Sequence, residues 1–132
     1  MDLVGAWKLV EWRIVSAAGR VSHPFGPDAV GLLCYTSDGH MSATVARAGR
    51  VPLPAETARH ASAEAQAEAF ASFFSCAGRY ELRNGHVAHD IEMALNPILV
   101  GTQIRELNFD DDRLVLAAEE NGRWHTMIWV RP

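Results

Sequence analysis

Tight-turn dipeptides recur along this 132-residue chain at the spacing of an antiparallel meander. Asp38-Gly39, Asn84-Gly85 and Asn121-Gly122 each stand between two short runs rich in apolar residues, and Asp110-Asp111-Asp112 makes an acidic turn of similar kind. Asn-Gly and Asp-Gly suit two-residue hairpins because the turn needs positive φ, which glycine and asparagine tolerate. A meander leaves its first and last strands as open edges, and pairing them into a barrel removes both. The two ends of the chain are matched for such a closure. Gly5-Ala6-Trp7 heads the first strand-like run and Trp129-Val130-Arg131 ends the last. Trp7 is expected at the closed end of the barrel, with Arg131 stacked on its ring as a cation–π contact. A closed barrel has an interior, and the function is expected there.

The expected strands are Gly5 to Ser16, Val30 to Ser37, His40 to Ala46, Arg79 to Arg83, His86 to Leu95, Gly101 to Phe109, Arg113 to Glu119 and Arg123 to Arg131. About eight strands suit an up-and-down barrel that either fills its interior or holds one small ligand. In the first strand the alternation slips. Trp7 and Leu9 share one face while Val10, Trp12 and Ile14 share the other, so a bulge near Val10 or Glu11 is expected to bring the two registers together. His23-Pro24-Phe25-Gly26-Pro27-Asp28 cannot join a ladder and reads as a loop across one end. Ala55 to Cys76 follows the breaker Val51-Pro52-Leu53-Pro54 and is rich in alanine and glutamate, which predicts a helix. Its apolar stripe of Ala63, Ala67, Phe70 and Phe74, with Phe73 beside it, needs a surface, and an open barrel mouth offers one. If the phenylalanines face outward instead, a homodimer covering them is the alternative.

The length fits a single domain, residues 1–132. A net charge of -4 argues against a nucleic-acid partner, since phosphate neutralisation needs a basic surface. No run approaches a membrane-spanning helix, and the start Met1-Asp2-Leu3 lacks the charged and apolar regions of a signal peptide, so a cytoplasmic protein without membrane attachment is expected. Cys34 and Cys76 lack metal-ligand spacing and read as reduced, partly buried thiols. His86 and His89 are three apart, which on a strand places them on opposite faces and prevents joint ligation. No residue pattern points to a metal or a cofactor.

The ordered series of short segments resembles the lipocalin-like domain proteins of bacteria and fungi, relatives of the calycin barrels. It consists of Leu3-Val4-Gly5-Ala6-Trp7-Lys8-Leu9, Pro24-Phe25-Gly26-Pro27, the run from Gly31 to Ser42, Gly78-Arg79-Tyr80, Val87-Ala88-His89, Asn96-Pro97, the run from Val100 to Arg105, and Asp112-Arg113-Leu114. The resemblance runs nearly end to end and implies an all-β, up-and-down barrel with a ligand cavity. It implies no single reaction. Where some relatives carry an aromatic after the Asn-Pro pair, this chain has Ile98 and Leu99.

Among candidate site residues, His89 shares strand parity with Val87, Ile91, Met93 and Leu95, an apolar row expected to face inward. It is either a core histidine held by a neighbouring strand or a ligand contact and general base. Gln103 and Arg105 share one face of their strand, and the pattern leaves open whether that face is the inner one. If it is, the lumen holds an amide and a fixed cation suited to a carboxylate or enolate oxygen. Tyr35 and Tyr80 sit within strands, either packed with their hydroxyls at a rim or acting as oxyanion donors. Met41 and Met93 would add adaptable apolar wall, with Phe70 and Phe74 from the helix. Trp12, Trp124 and Trp129 read as shell or rim.

Two functions fit these residues. One is a binding module that holds a small hydrophobic molecule. The other is an isomerase or cyclase of small-molecule metabolism, acting in the same cavity with His89, Arg105, Tyr35 and Tyr80 as the candidate catalytic set.

Overall fold

A computed structural model describes residues 2–54 and 56–132. Eight long antiparallel strands follow one another around a closed barrel: β1 (Gly5–Val15), β3 (Val30–Tyr35), β4 (His40–Ala46), β5 (Phe73–Arg83), β6 (His86–Ala94), β7 (Gly101–Asp110), β8 (Arg113–Glu120) and β9 (Arg123–Val130). The two-residue β2 (Val21–Ser22) pairs only with the end of β1. Closure is made by β1 and β9, in register from Lys8↔Val130 to Val15↔Trp124. At the Asn121-Gly122 turn both residues take positive φ, 54° and 75°, as a two-residue hairpin with the right twist requires.

The expected bulge is present in β1. The register with β9 slips between Leu9 and Glu11, leaving Val10 as the extra, exposed residue. Trp7 and Leu9 on one side of it, and Trp12 and Ile14 on the other, therefore all pack inward. The core they join runs through Leu33, Tyr35, Met41, Val45, Val87, Ile91, Leu114 and Trp129.

Two expectations are corrected. The helix is shorter than Ala55 to Cys76: α1 spans Ala63–Ala71, preceded by a short 3-10 turn at Ala58–His60, and Ala55 lies outside the described residues. Ser62 caps its start, with its hydroxyl accepting from the Ala65 amide. Arg50 closes the other end, donating to the Ala69 carbonyl and to the Ser72 hydroxyl. Beyond it Phe73 to Cys76 are strand, paired with Ala46 to Ala43 of β4. The ladder with β4 outweighs the local alanine-rich helical preference because it pairs the backbone of this segment while Phe74 and Cys76 turn into the barrel.

The second correction concerns Met93. The register of β5 with β6 slips between Ala77↔Met93 and Gly78↔Ile91, making Glu92 an extra residue. Parity reverses there. His89 and Ile91 face inward, while Met93 is 63% exposed and Leu95 is also outside. Gly78 makes the slip possible, since a Cβ at that position would overlap the Asp90 carbonyl oxygen. Among the described residues, no helix is long and apolar enough to cross a membrane.

Candidate functional site

The barrel encloses a cavity of about 350 Å³. Alternation along each strand supplies its wall: Leu33 from β3, Met41 and Ala43 from β4, Phe74 and Cys76 from β5, Ile91 from β6, Leu116 and Ala118 from β8, Met127 and Trp129 from β9. At the mouth Trp12 meets Phe25 edge to face at 5.1 Å and Phe74 at 5.6 Å. Phe25 belongs to the proline-rich loop, which does cross this end, tied by Arg47 donating to the Pro24 carbonyl and lying 5.7 Å from the Phe25 ring. Phe70 and Ala71 of α1, and Phe73 just after it, complete the rim; Phe70 remains 49% exposed while lining the opening. Leu99, after the Asn-Pro pair, lines the cavity and Ile98 is 79% exposed.

The question left open for β7 is decided by its pairing. Its residues alternate strictly, with Gln103, Arg105, Leu107 and Phe109 facing inward. Gln103 stands opposite His89 and Arg105 opposite Val87 on β6. Gln103 donates its side-chain amide to the Leu99 carbonyl at 3.3 Å, and its amide oxygen has no donor among the described residues. Arg105 donates one N–H to the Ile104 carbonyl at 3.2 Å. Among the described residues it makes no other hydrogen bond and no salt bridge. Burial pushes its pKa down while the Glu120 carboxylate opposes this from a distance. Arginine stays charged under any such shift.

His89 also lines the wall and is 8% exposed. Its Nε2 lies 2.6 Å from the Tyr35 hydroxyl, and Tyr35 is itself 2% exposed. Burial, with the nearby Arg105 charge second, lowers the His89 pKa to about 4. Burial pushes the Tyr35 phenol upward, with Tyr80 adding to the shift. Both are therefore neutral at neutral pH. The buried Tyr35 hydroxyl has no other acceptor among the described residues, so its proton points to Nε2 and the imidazole proton sits on Nδ1. Nδ1 makes no hydrogen bond among the described residues, and the His89 side chain lines the cavity.

Of the residues named from the sequence, Met41, Phe70, Phe74, His89, Gln103 and Arg105 line the cavity. Tyr35 stands behind His89 and does not line it. Tyr80 also lies outside the lining: its ring meets Tyr35 at 4.7 Å and its hydroxyl donates to the Thr36 carbonyl, toward the hairpin at the closed end. Met93 is on the outer face. Sequence reasoning missed a polar group at the mouth. Glu120 and His125 both line the cavity, with Nε2 of His125 3.5 Å from Oε2 of Glu120 and Nδ1 accepting from the Trp12 indole at 3.4 Å. The alternation of His125, Met127 and Trp129 along the last strand was the available signal; Glu120 beside a turn reads as a solvated charge. Cys76 lines the cavity while Cys34, paired with Ser42, lies on the other face of the wall.

Residues 4–131 match the family described as the lipocalin-like domain. No curated protein matches the chain. Among solved structures, it is similar to a lipocalin-like protein from Bacteroides uniformis ATCC 8492, with 14% identity, a TM-score of 0.52, and 96% of this chain and 97% of that one covered. An uncharacterized protein from Bacteroides eggerthii DSM 20697 is similar at 11% identity and a TM-score of 0.50, covering 96% and 98%. At these identities the likeness is one of fold.

Proposed function

We propose that this chain, which belongs to the lipocalin-like domain family, binds a small hydrophobic molecule inside its barrel. The observation that carries this reading is the cavity of about 350 Å³, walled mainly by apolar side chains and opening between aromatic rings. Concave, mostly apolar sites of this size with a few fixed polar groups are the usual form of small-ligand pockets. The aromatic cluster of Trp12, Phe25 and Phe74 supplies flat surface at the entrance, and His89, Gln103 and Arg105 supply orientation from the wall.

The isomerase or cyclase reading adds a chemical step in the same cavity. The geometry supports it less, because the lone pair of neutral His89 that would accept a proton is already engaged by Tyr35.

Native mass spectrometry of protein purified without added ligand, together with titration by methyl 2-naphthoate, tests the binding reading. A retained small molecule, or saturable one-to-one binding weakened by Phe25→Ala, is the expected result. No retained mass and no saturable binding of this ester or of 2-naphthoate would overturn it.

A further inference from the structure

The polar groups of the cavity wall are not a neutral mixture, and their hydrogen-bond sense follows from their partners. Arg105 has only donors, and all but one of its N–H groups are free of protein acceptors among the described residues. His89 is symmetrical in principle: its free nitrogen accepts in one tautomer and donates in the other. Tyr35 breaks that symmetry. Were Nε2 to carry the proton and donate to the phenol oxygen, the buried Tyr35 O–H would be left without an acceptor, a penalty of about 1–3 kcal/mol. The proton therefore sits on Nδ1, and His89 adds a donor to the cavity that Arg105 also lines.

We infer that the cavity selects a hydrophobic molecule carrying a carboxylate, and that Tyr35 is the positioning residue that enforces this by holding the His89 proton on Nδ1. This rests on the binding reading above and deepens it. Three features favour a carboxylate over a neutral acceptor. The guanidinium fork matches two carboxylate oxygens, and His89, one inward position along from the Val87 that faces Arg105, lines the same cavity and feels the Arg105 charge. Arg105 is a cation in a largely apolar enclosure with no ion pair among the described residues, so an anion that reaches it meets a charge that water screens poorly. The acidic residue of the cavity, Glu120, lies at the mouth, half exposed and beside His125, where it leaves the donors of Arg105 unoccupied. The free oxygen of Gln103 accepts from a donor on the ligand and does not compete for these positions.

The test is a titration of the full chain at neutral pH with 2-naphthoate, methyl 2-naphthoate and 2-naphthylmethylammonium, which share one ring system. The carboxylate is expected to bind about tenfold or more tightly than the ester, with the ammonium weakest. Arg105→Gln should bring the acid-to-ester ratio close to one. Tyr35→Phe should lower that ratio by about threefold or more, and nitrogen chemical shifts should show His89 as the Nδ1–H tautomer in the parent protein and no longer so in the variant. Equal binding of ester and carboxylate by the unmodified protein, or an Nε2–H tautomer in it, overturns the inference while leaving the binding reading intact. Binding of neither compound overturns both.

Discussion

The guanidinium carbon of Arg131 lies 3.7 Å from the centroid of the Trp7 ring, joining the residue that follows β9 to the first strand. The same guanidinium donates to the carbonyls of Asp2, Val4 and Ala6, and the Trp7 indole donates to the Leu3 carbonyl. The N-terminal segment is thereby folded over the closed end of the barrel, where Trp7 is fully buried. Trp7→Ala is expected to cost about 3–5 kcal/mol in urea unfolding, as for other large core truncations. Arg131→Ala should cost less, about 1–2 kcal/mol, because its hydrogen bonds are partly open to solvent. A Trp7→Ala loss within about 0.5 kcal/mol would contradict the closure described here.

Gly78→Ala should be among the most damaging small substitutions in the chain. The added methyl would overlap the Asp90 carbonyl at the slip between β5 and β6, and backbone on the facing strand cannot move aside without breaking the ladder. Loss of soluble protein, or destabilisation of about 3 kcal/mol or more, is expected on the scale of severe overpacking. A variant as stable as the parent would mean that this register is wrong.

The two methionines form a paired test of which side of the wall each occupies. Met93 is exposed on the outside, so Met93→Lys should change stability by no more than about 0.5 kcal/mol. Met41, 3% exposed within the core, should lose about 2–5 kcal/mol as Met41→Ala. Unfolding curves for the two variants read this directly, and a reversed order would exchange their faces.

Acid should weaken the fold through His89. Its pKa in the folded barrel is depressed to about 4 from 6.5, so between those values the unfolded chain binds the extra proton. The stabilisation is complete above pH 6.5 and is lost as the pH falls through the folded value near 4. The full span corresponds to about 3 kcal/mol by the linkage relation. His125, also depressed by burial, adds a contribution of the same sign. Stability measured from pH 7 to 4 should fall less steeply in His89→Gln than in the parent; equal slopes would place the acid sensitivity elsewhere.

Much of this architecture is legible in the chain because its signals are local. Turn dipeptides mark hairpins through backbone φ alone, and the broken alternation from Trp7 to Ile14 reveals a bulge because a period of two tolerates no other repair. Parity with Val87 and Ile91 places His89 in the lumen. Parity also explains the error at Met93, since the slip at Glu92 depends on Gly78 in the neighbouring strand and leaves no mark in the alternation of β6. The end of the helix at Ala71 was illegible for a similar reason: Phe73 to Cys76 become strand only because β4 offers them a ladder.

The sequence by itself determined the barrel, its closure through Trp7 and Arg131, and His89 as a polar member of an inward row. Only the tertiary structure decided which face of β7 turns inward, that Tyr35 stands behind His89 and not beside it, and that Glu120 and His125 meet at the mouth. A strand fixes which of its residues share a face, but the neighbouring strands fix which face is inside. The polarity of the site is set by a contact between residues 54 positions apart, which no local pattern can encode.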